Sequence, residues 1–164
     1  MRFVRGVAFG IVALGLVGSG LLAACTSTPN SSGGAAAKTA VAFTPLGAGK
    51  RSTQTRPEPF GQVLVTRAAV LEELGGEPIP EWLARFPFQS EAVLFVSGGE
   101  KPDPGYRIDV FAVQRSGSML LVQARVAVAD EGFQPQVITE PYQWLSVGRP
   151  DAEGITDVRV TLTR

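Results

Sequence analysis

The sequence predicts a mainly β fold, an antiparallel β sandwich or half-barrel with a short helical element at its N-terminal end. Three observations predict it. Apolar and polar residues alternate with period two over most of residues 57–164. Strand-like runs recur between turn signals rich in Gly, Pro and Ser. Helix-like spacing is confined to two short stretches, and this balance of elements belongs to sheet packed on sheet.

In chain order, Gln62-Val63-Leu64-Val65-Thr66 reads as a short strand and residues 67–74 as a short helix stopped by Gly75-Gly76. A helical turn follows over 81–86 with Pro80 at its first position, and the i, i+4 spacing of Trp82 and Phe86 puts both rings on one side, toward the core. Ala92-Val93-Leu94-Phe95-Val96 is a continuous apolar run, as expected of a strand covered on both faces. Residues 106–114 alternate, with Tyr106, Ile108, Val110 and Ala112 on one face, and residues 119–129 alternate with Leu120, Val122, Ala124, Val126 and Val128 in register. With Ser116-Gly117-Ser118 between them they form a hairpin. Residues 142–147 give another strand, and Val158, Val160 and Leu162 mark the last.

Ahead of this domain stands a targeting segment. Arg2 and Arg5 precede an uncharged apolar run from Val7 to Leu22, and the run ends in Leu22-Ala23-Ala24-Cys25. Such a charged start, apolar middle and small-residue end is a secretory signal. Its last four residues resemble the bacterial lipobox, in which the cysteine thiol takes a diacylglycerol before cleavage. Residues 1–24 are therefore expected to be a lipoprotein signal peptide and Cys25, the one cysteine, the lipidated first residue of the mature chain. Loss of Arg2 and Arg5 leaves 13 basic against 15 acidic residues, a balance of −2, so anchoring falls to the lipid. Residues 25–56 form the expected tether: rich in Ser, Thr, Gly and Ala, without sustained period, and able to reach about 30 Å if flexible throughout. Its one apolar island, Ala40-Val41-Ala42-Phe43, is placed to dock as an extra strand. Gly47-Ala48-Gly49-Lys50 is no phosphate-binding loop, because Thr44 stands where Gly is needed and Arg51 where Ser or Thr is needed.

Composition narrows the chemistry. The chain has no histidine, which removes Ser-His-Asp and Cys-His catalysis and imidazole-ligated zinc. Lys+Arg 15 against Asp+Glu 15 gives no net pull toward nucleic acid. The carboxylates supply no catalytic pattern. Glu72 and Glu73 point apart on a helix, Glu140 precedes a proline, and Asp109 alternates with Arg107 as a surface pair. Neither a calcium loop nor a metal cluster is readable, so no cofactor or metal is expected and the chain is not expected to be an enzyme.

Four segments stand out together: the apolar strand 92–96; Lys101-Pro102-Asp103-Pro104-Gly105-Tyr106 with the strand after it; the long strand 120–128; and Ile138-Thr139-Glu140-Pro141-Tyr142-Gln143-Trp144-Leu145-Ser146-Val147. Through them residues 88–147 resemble the C-terminal domain of the protease complex subunit PrcB family. The Gly105-Tyr106 and Pro141-Tyr142 pairs opening strands are the most specific. The chain departs from the family pattern at Pro87, where an Asp often stands, and in lacking a proline-rich segment over 126–133. The resemblance implies an envelope lipoprotein or secreted accessory subunit that associates with a protease and supports its stability, with no catalytic residues.

Two segments are candidate partner-binding sites. Pro102, Asp103, Pro104, Gly105 and Tyr106 form a loop with two prolines, stiff enough to lose little entropy on binding; turn chemistry alone also accounts for it, with Gly105 supplying an unusual dihedral. A Pro, Gly and Tyr loop of similar flavour serves the chagasin-like cysteine-protease inhibitors, so inhibition is an alternative function, as is a general envelope-binding module. Tyr142 and Trp144 share one strand face and can be core or an interface anchor. The expected partner is an envelope protein, a protease or its precursor, met at the surface of a bacterial membrane to which the lipid anchors the chain.

Overall fold

A computed structural model of the protein describes residues 37–128 and 135–163. The expected signal peptide, Cys25 and the first part of the expected tether lie outside the described residues. The strands are β1 (Lys38–Ala40), β2 (Phe43–Arg51), β3 (Phe60–Leu64), β4 (Glu91–Ser97), β5 (Tyr106–Ser116), β6 (Met119–Val128), β7 (Glu140–Gly148) and β8 (Asp157–Thr163). Two helices, α1 (Arg67–Leu74) and α2 (Arg149–Ala152), and a 3-10 turn at Glu81–Ala84 complete the described elements. The strands form two four-stranded sheets, ordered β1-β5-β6-β8 and β2-β7-β4-β3. The mainly β, sandwich-like fold read from the sequence is the observed one. Pairing is antiparallel except between β6 and β8.

The tether does not extend to residue 56 as expected. The apolar island does dock, but as the corner between two strands: β1 pairs with β5 in one sheet, Val41 N–H donates to Val113 O at 2.9 Å, and β2 then pairs with β7 in the other. One of the glycines that make β2 read as linker is required by its neighbour. Gly49 lies opposite Tyr142, and a Cβ there would come within 2.4 Å of the tyrosine hydroxyl. Pro45 is tolerated because β2 is an edge strand, where a missing N–H breaks no ladder.

Both faces of the β2-β7-β4-β3 sheet are covered, which explains the continuous apolar run in β4. Ala92, Leu94 and Val96 of β4 pack with Leu145 and Val147 against Ile108, Val110, Leu120 and Val122 of the other sheet. Val93, Phe95 and Trp144 face the opposite way, onto Val70, Leu74 and Leu83. Helix α1 begins where the Thr66 hydroxyl accepts the Ala69 N–H at 3.2 Å and ends at Gly75, whose φ is 60°. Pro80 caps the 3-10 turn rather than opening it.

The β5–β6 hairpin forms with Gly117 left-handed at its turn (φ 62°), but a bulge between Val110 and Ala112 alters the predicted alternation. Phe111 is the extra residue, so the buried sequence of β5 is Ile108, Val110 and then Val113 in place of Ala112. Beside the bulge, Val110 N–H donates across the sandwich to the Gln143 side chain at 2.8 Å. At the β3–β8 side the sheets converge so closely that a Cβ on Gly61 would meet Val158 at 2.4 Å.

Candidate partner-binding site

The loop from β4 to β5 is held by its own chemistry and by three neighbouring segments. Gly99 has φ 68°, and a Cβ there would come within 2.6 Å of the Pro57 carbonyl. The left-handed residue is thus Gly99, and not Gly105 as expected; Gly105 is buried where β5 begins. The chain reversal there needs no special dihedral because Asp103 supplies it: its Oδ1 accepts the Gly105 N–H at 2.8 Å. Lys101 exchanges backbone hydrogen bonds with Thr139 (2.7 and 3.0 Å), the Thr139 hydroxyl donates to Asp103 O at 2.8 Å, and Lys50 Nζ donates to Pro104 O. The Lys101 ammonium turns back on Gly98 O (2.5 Å) and Glu100 O (3.1 Å), and its partial burial holds its pKa below the usual lysine value against the pull of Glu140 and Glu58.

This loop forms one side of a groove of about 700 Å³. Lys101, Pro102 and Tyr106 line it from the loop, Val126 and Val128 from the end of β6, and Leu162 and Thr163 from the end of β8. The β6–β8 ladder runs from Met119 and Asp157 to Arg125 and Thr163. Among the described residues, Val126 to Val128 have no strand partner on that side, so the groove ends on open backbone as well as apolar side chains. Val128 is 58% exposed, and Val137 and Ile138, which lead into Thr139, are also exposed.

Tyr142 and Trp144 are elsewhere. Trp144 is 3% exposed, its ring 4.5 Å from Phe95 and 6.0 Å from Trp82. It belongs to the core under α1, which removes it from the partner-binding set: large rings on the covered face of a sheet are what fill the space beneath a helix. Tyr142 is half-buried in the same cluster, 5.5 Å from Phe95 and folded over Gly49. Burial pushes its hydroxyl above the usual tyrosine pKa, the Glu77 carboxylate adds to this, and Arg51 opposes it. Neither aromatic lines the groove.

The sequence reading missed a buried ion network. Glu140 is fully buried, and its Oε1 accepts from Arg51 Nη2 at 2.7 Å while its Oε2 accepts the Arg56 N–H at 2.5 Å. Arg51 also bonds Glu73 of α1 at 3.1 Å, and its guanidinium lies 5.3 Å from the Phe95 ring. Arg56 reaches Glu73 at 3.5 Å and covers Phe60 at 3.9 Å. Two cations and two carboxylates are thus balanced at the junction of β2, β7 and α1. The arrangement ties elements together and holds both carboxylates in ion pairs. By contrast Arg107 and Asp109, 3.1 Å apart, form the exposed pair the sequence suggested.

Residues 92–147 match the family model described as PrcB C-terminal. The match covers about a third of the chain. No curated protein and no solved structure matches the chain. The matched stretch runs from β4 through β7, so it supplies the loop, Tyr106, Val126 and Val128, five of the groove's seven lining residues with Lys101 and Pro102. Glu140 lies inside it; Arg51 and Arg56, which bond Glu140, and Glu73, which shares both arginines, lie outside.

Proposed function

We propose that the chain is a non-catalytic lipoprotein subunit of the bacterial cell envelope that binds a protease partner and supports its stability, with the groove between the β4–β5 loop and the ends of β6 and β8 as the contact. The carrying observation is that most of the groove belongs to the PrcB C-terminal stretch, the part of the chain whose family association is with a protease complex. Supporting it, the loop is pinned by hydrogen bonds and forfeits little freedom on binding, and the open side of β6 offers backbone groups for an extended segment. The absence of histidine and the expected commitment of the single cysteine to lipid leave a binding role as the simplest chemistry.

Val128 is the residue to test, because it is exposed at the groove and its replacement leaves the loop's hydrogen bonds intact. Val128→Asp should shift folding stability by no more than about 0.5 kcal/mol, as exposed substitutions do. Co-purification of the protease with the full-length variant should fall at least tenfold. Undiminished recovery would remove the groove from the interface. Protease turnover measured in the same preparations separates support from inhibition, since an inhibitor lowers turnover when it is added.

The anchor is tested separately. Cys25→Ser is expected to abolish incorporation of labelled fatty acid and to leave a precursor that retains Arg2 and Arg5 by mass spectrometry. Continued labelling would overturn the lipoprotein reading without touching the groove.

A further inference from the structure

The two sheets present very different outer faces. The β2-β7-β4-β3 sheet is covered by α1 and the 3-10 turn, which bury Phe95 and Trp144. Among the described residues no helix covers the β1-β5-β6-β8 sheet. Its register places Lys38, Arg107, Arg125 and Arg159 on the outer face, each exposed, with Asp109 and Asp157 the acidic residues among them. Asp109 neutralises Arg107 at 3.1 Å. Lys38, Arg125 and Arg159 make no ion pair among the described residues, although the acidic residues of the described domain outnumber the basic ones. Phe111 follows Arg107 and Asp109 on the same face of β5, next to the strand of Arg125, and is 51% exposed.

We propose that this outer face is a second interaction surface, shaped for an acidic protein surface that brings an apolar residue onto Phe111. The three positive residues without an ion pair are spread over β1, β6 and β8, a layout that complements a broad acidic patch and steers its approach. Phe111 supplies the apolar contact that an array of exposed charges lacks. A protein partner fits better than an anionic membrane. Asp109 and Asp157 stand among the basic residues, and a protein partner can place a donor opposite each of them, which an array of lipid phosphates cannot. The proposal goes beyond the groove reading and stands independently of it, since none of Lys38, Phe111, Arg125 and Arg159 lines the groove.

The test uses the full-length protein in detergent and a fluorescent random copolymer of glutamate and tyrosine as the acidic probe. Binding is expected, to weaken with added salt, and to fall at least tenfold in Arg125→Glu/Arg159→Glu and severalfold in Phe111→Ser. Val128→Asp should bind as well as the unaltered protein, which separates this surface from the groove. The neutral pair Arg125→Gln/Arg159→Gln serves if the reversed charges disturb folding, read by the melting temperature, and should still lose most of the binding. Equal binding by the folded double variants, or no binding by the unaltered protein, would overturn the proposal. Arginine-dependent recruitment to phosphatidylglycerol vesicles, with the copolymer ignored, would also overturn it and assign the face to lipid.

Discussion

Arg51→Ala is expected to destabilise the domain by about 3–5 kcal/mol, the penalty for removing one partner of a buried ion pair. The loss arises less from the attraction forfeited than from what stays behind. Glu140 remains fully buried with a single backbone N–H on its carboxylate, and Glu73, 7% exposed, keeps only the longer contact to Arg56. Urea unfolding of the full chain measures the effect, and the melting temperature should drop by roughly 10 °C or more for a domain of this size. Arg51→Met/Glu140→Leu discriminates causes: an apolar pair of similar volume should regain part of the loss, because neither charge is then left unpaired. A loss below about 1 kcal/mol for Arg51→Ala would show that water enters the site and that the network is effectively exposed.

Trp144→Ala should cost a comparable amount, about 3–5 kcal/mol, as expected of a large aromatic removed from a core. Trp144 touches Phe95, Trp82 and Tyr142, so its loss opens a void beneath α1 and the 3-10 turn. The prediction carries functional meaning. Were Trp144 an interface anchor, the variant would keep its melting temperature and lose its partner; as a core residue it loses the melting temperature first. Trp144→Phe, which restores most of the ring volume, should recover more than half of the stability.

Much of the fold was legible because its strands announce themselves locally. β4 reads as an unbroken apolar run, and β5, β6 and β8 alternate with period two. β2 did not, because Thr-Pro-Leu-Gly-Ala-Gly-Lys has the composition of a linker. Its Gly49 has meaning only beside Tyr142, about ninety residues further on. The same separation hid the ion network: Arg51 lay inside an apparent tether, and Glu140 was one carboxylate before a proline. A buried charge pair is signalled in sequence only when both partners fall within one element. The loop residues Pro102 to Tyr106 were read as stiff for their prolines, and what the structure adds is the set of hydrogen bonds that pin them. The rule that glycine marks the left-handed residue held, but at Gly99, while an aspartate carboxylate shaped the turn at Gly105. Val126 and Val128 entered the reading only as core-facing strand residues, because where β8 stops relative to β6 is a matter of register that a single sequence does not print.

The corner at Val41 has a practical consequence for anyone shortening this chain. A fragment begun at residue 57, where the composition changes, would lack a border strand from each sheet at once, because β1 edges one and β2 edges the other. Two rows of backbone donors and acceptors, on β5 and β7, would be left bare, and bare strand borders recruit other chains. The fragment would also carry Glu140 without Arg51 or the Arg56 amide. Such a fragment should come out of expression as aggregate, whereas one begun at residue 37 keeps both borders closed. The stretch that looks like a leash is the clasp that shuts the sandwich.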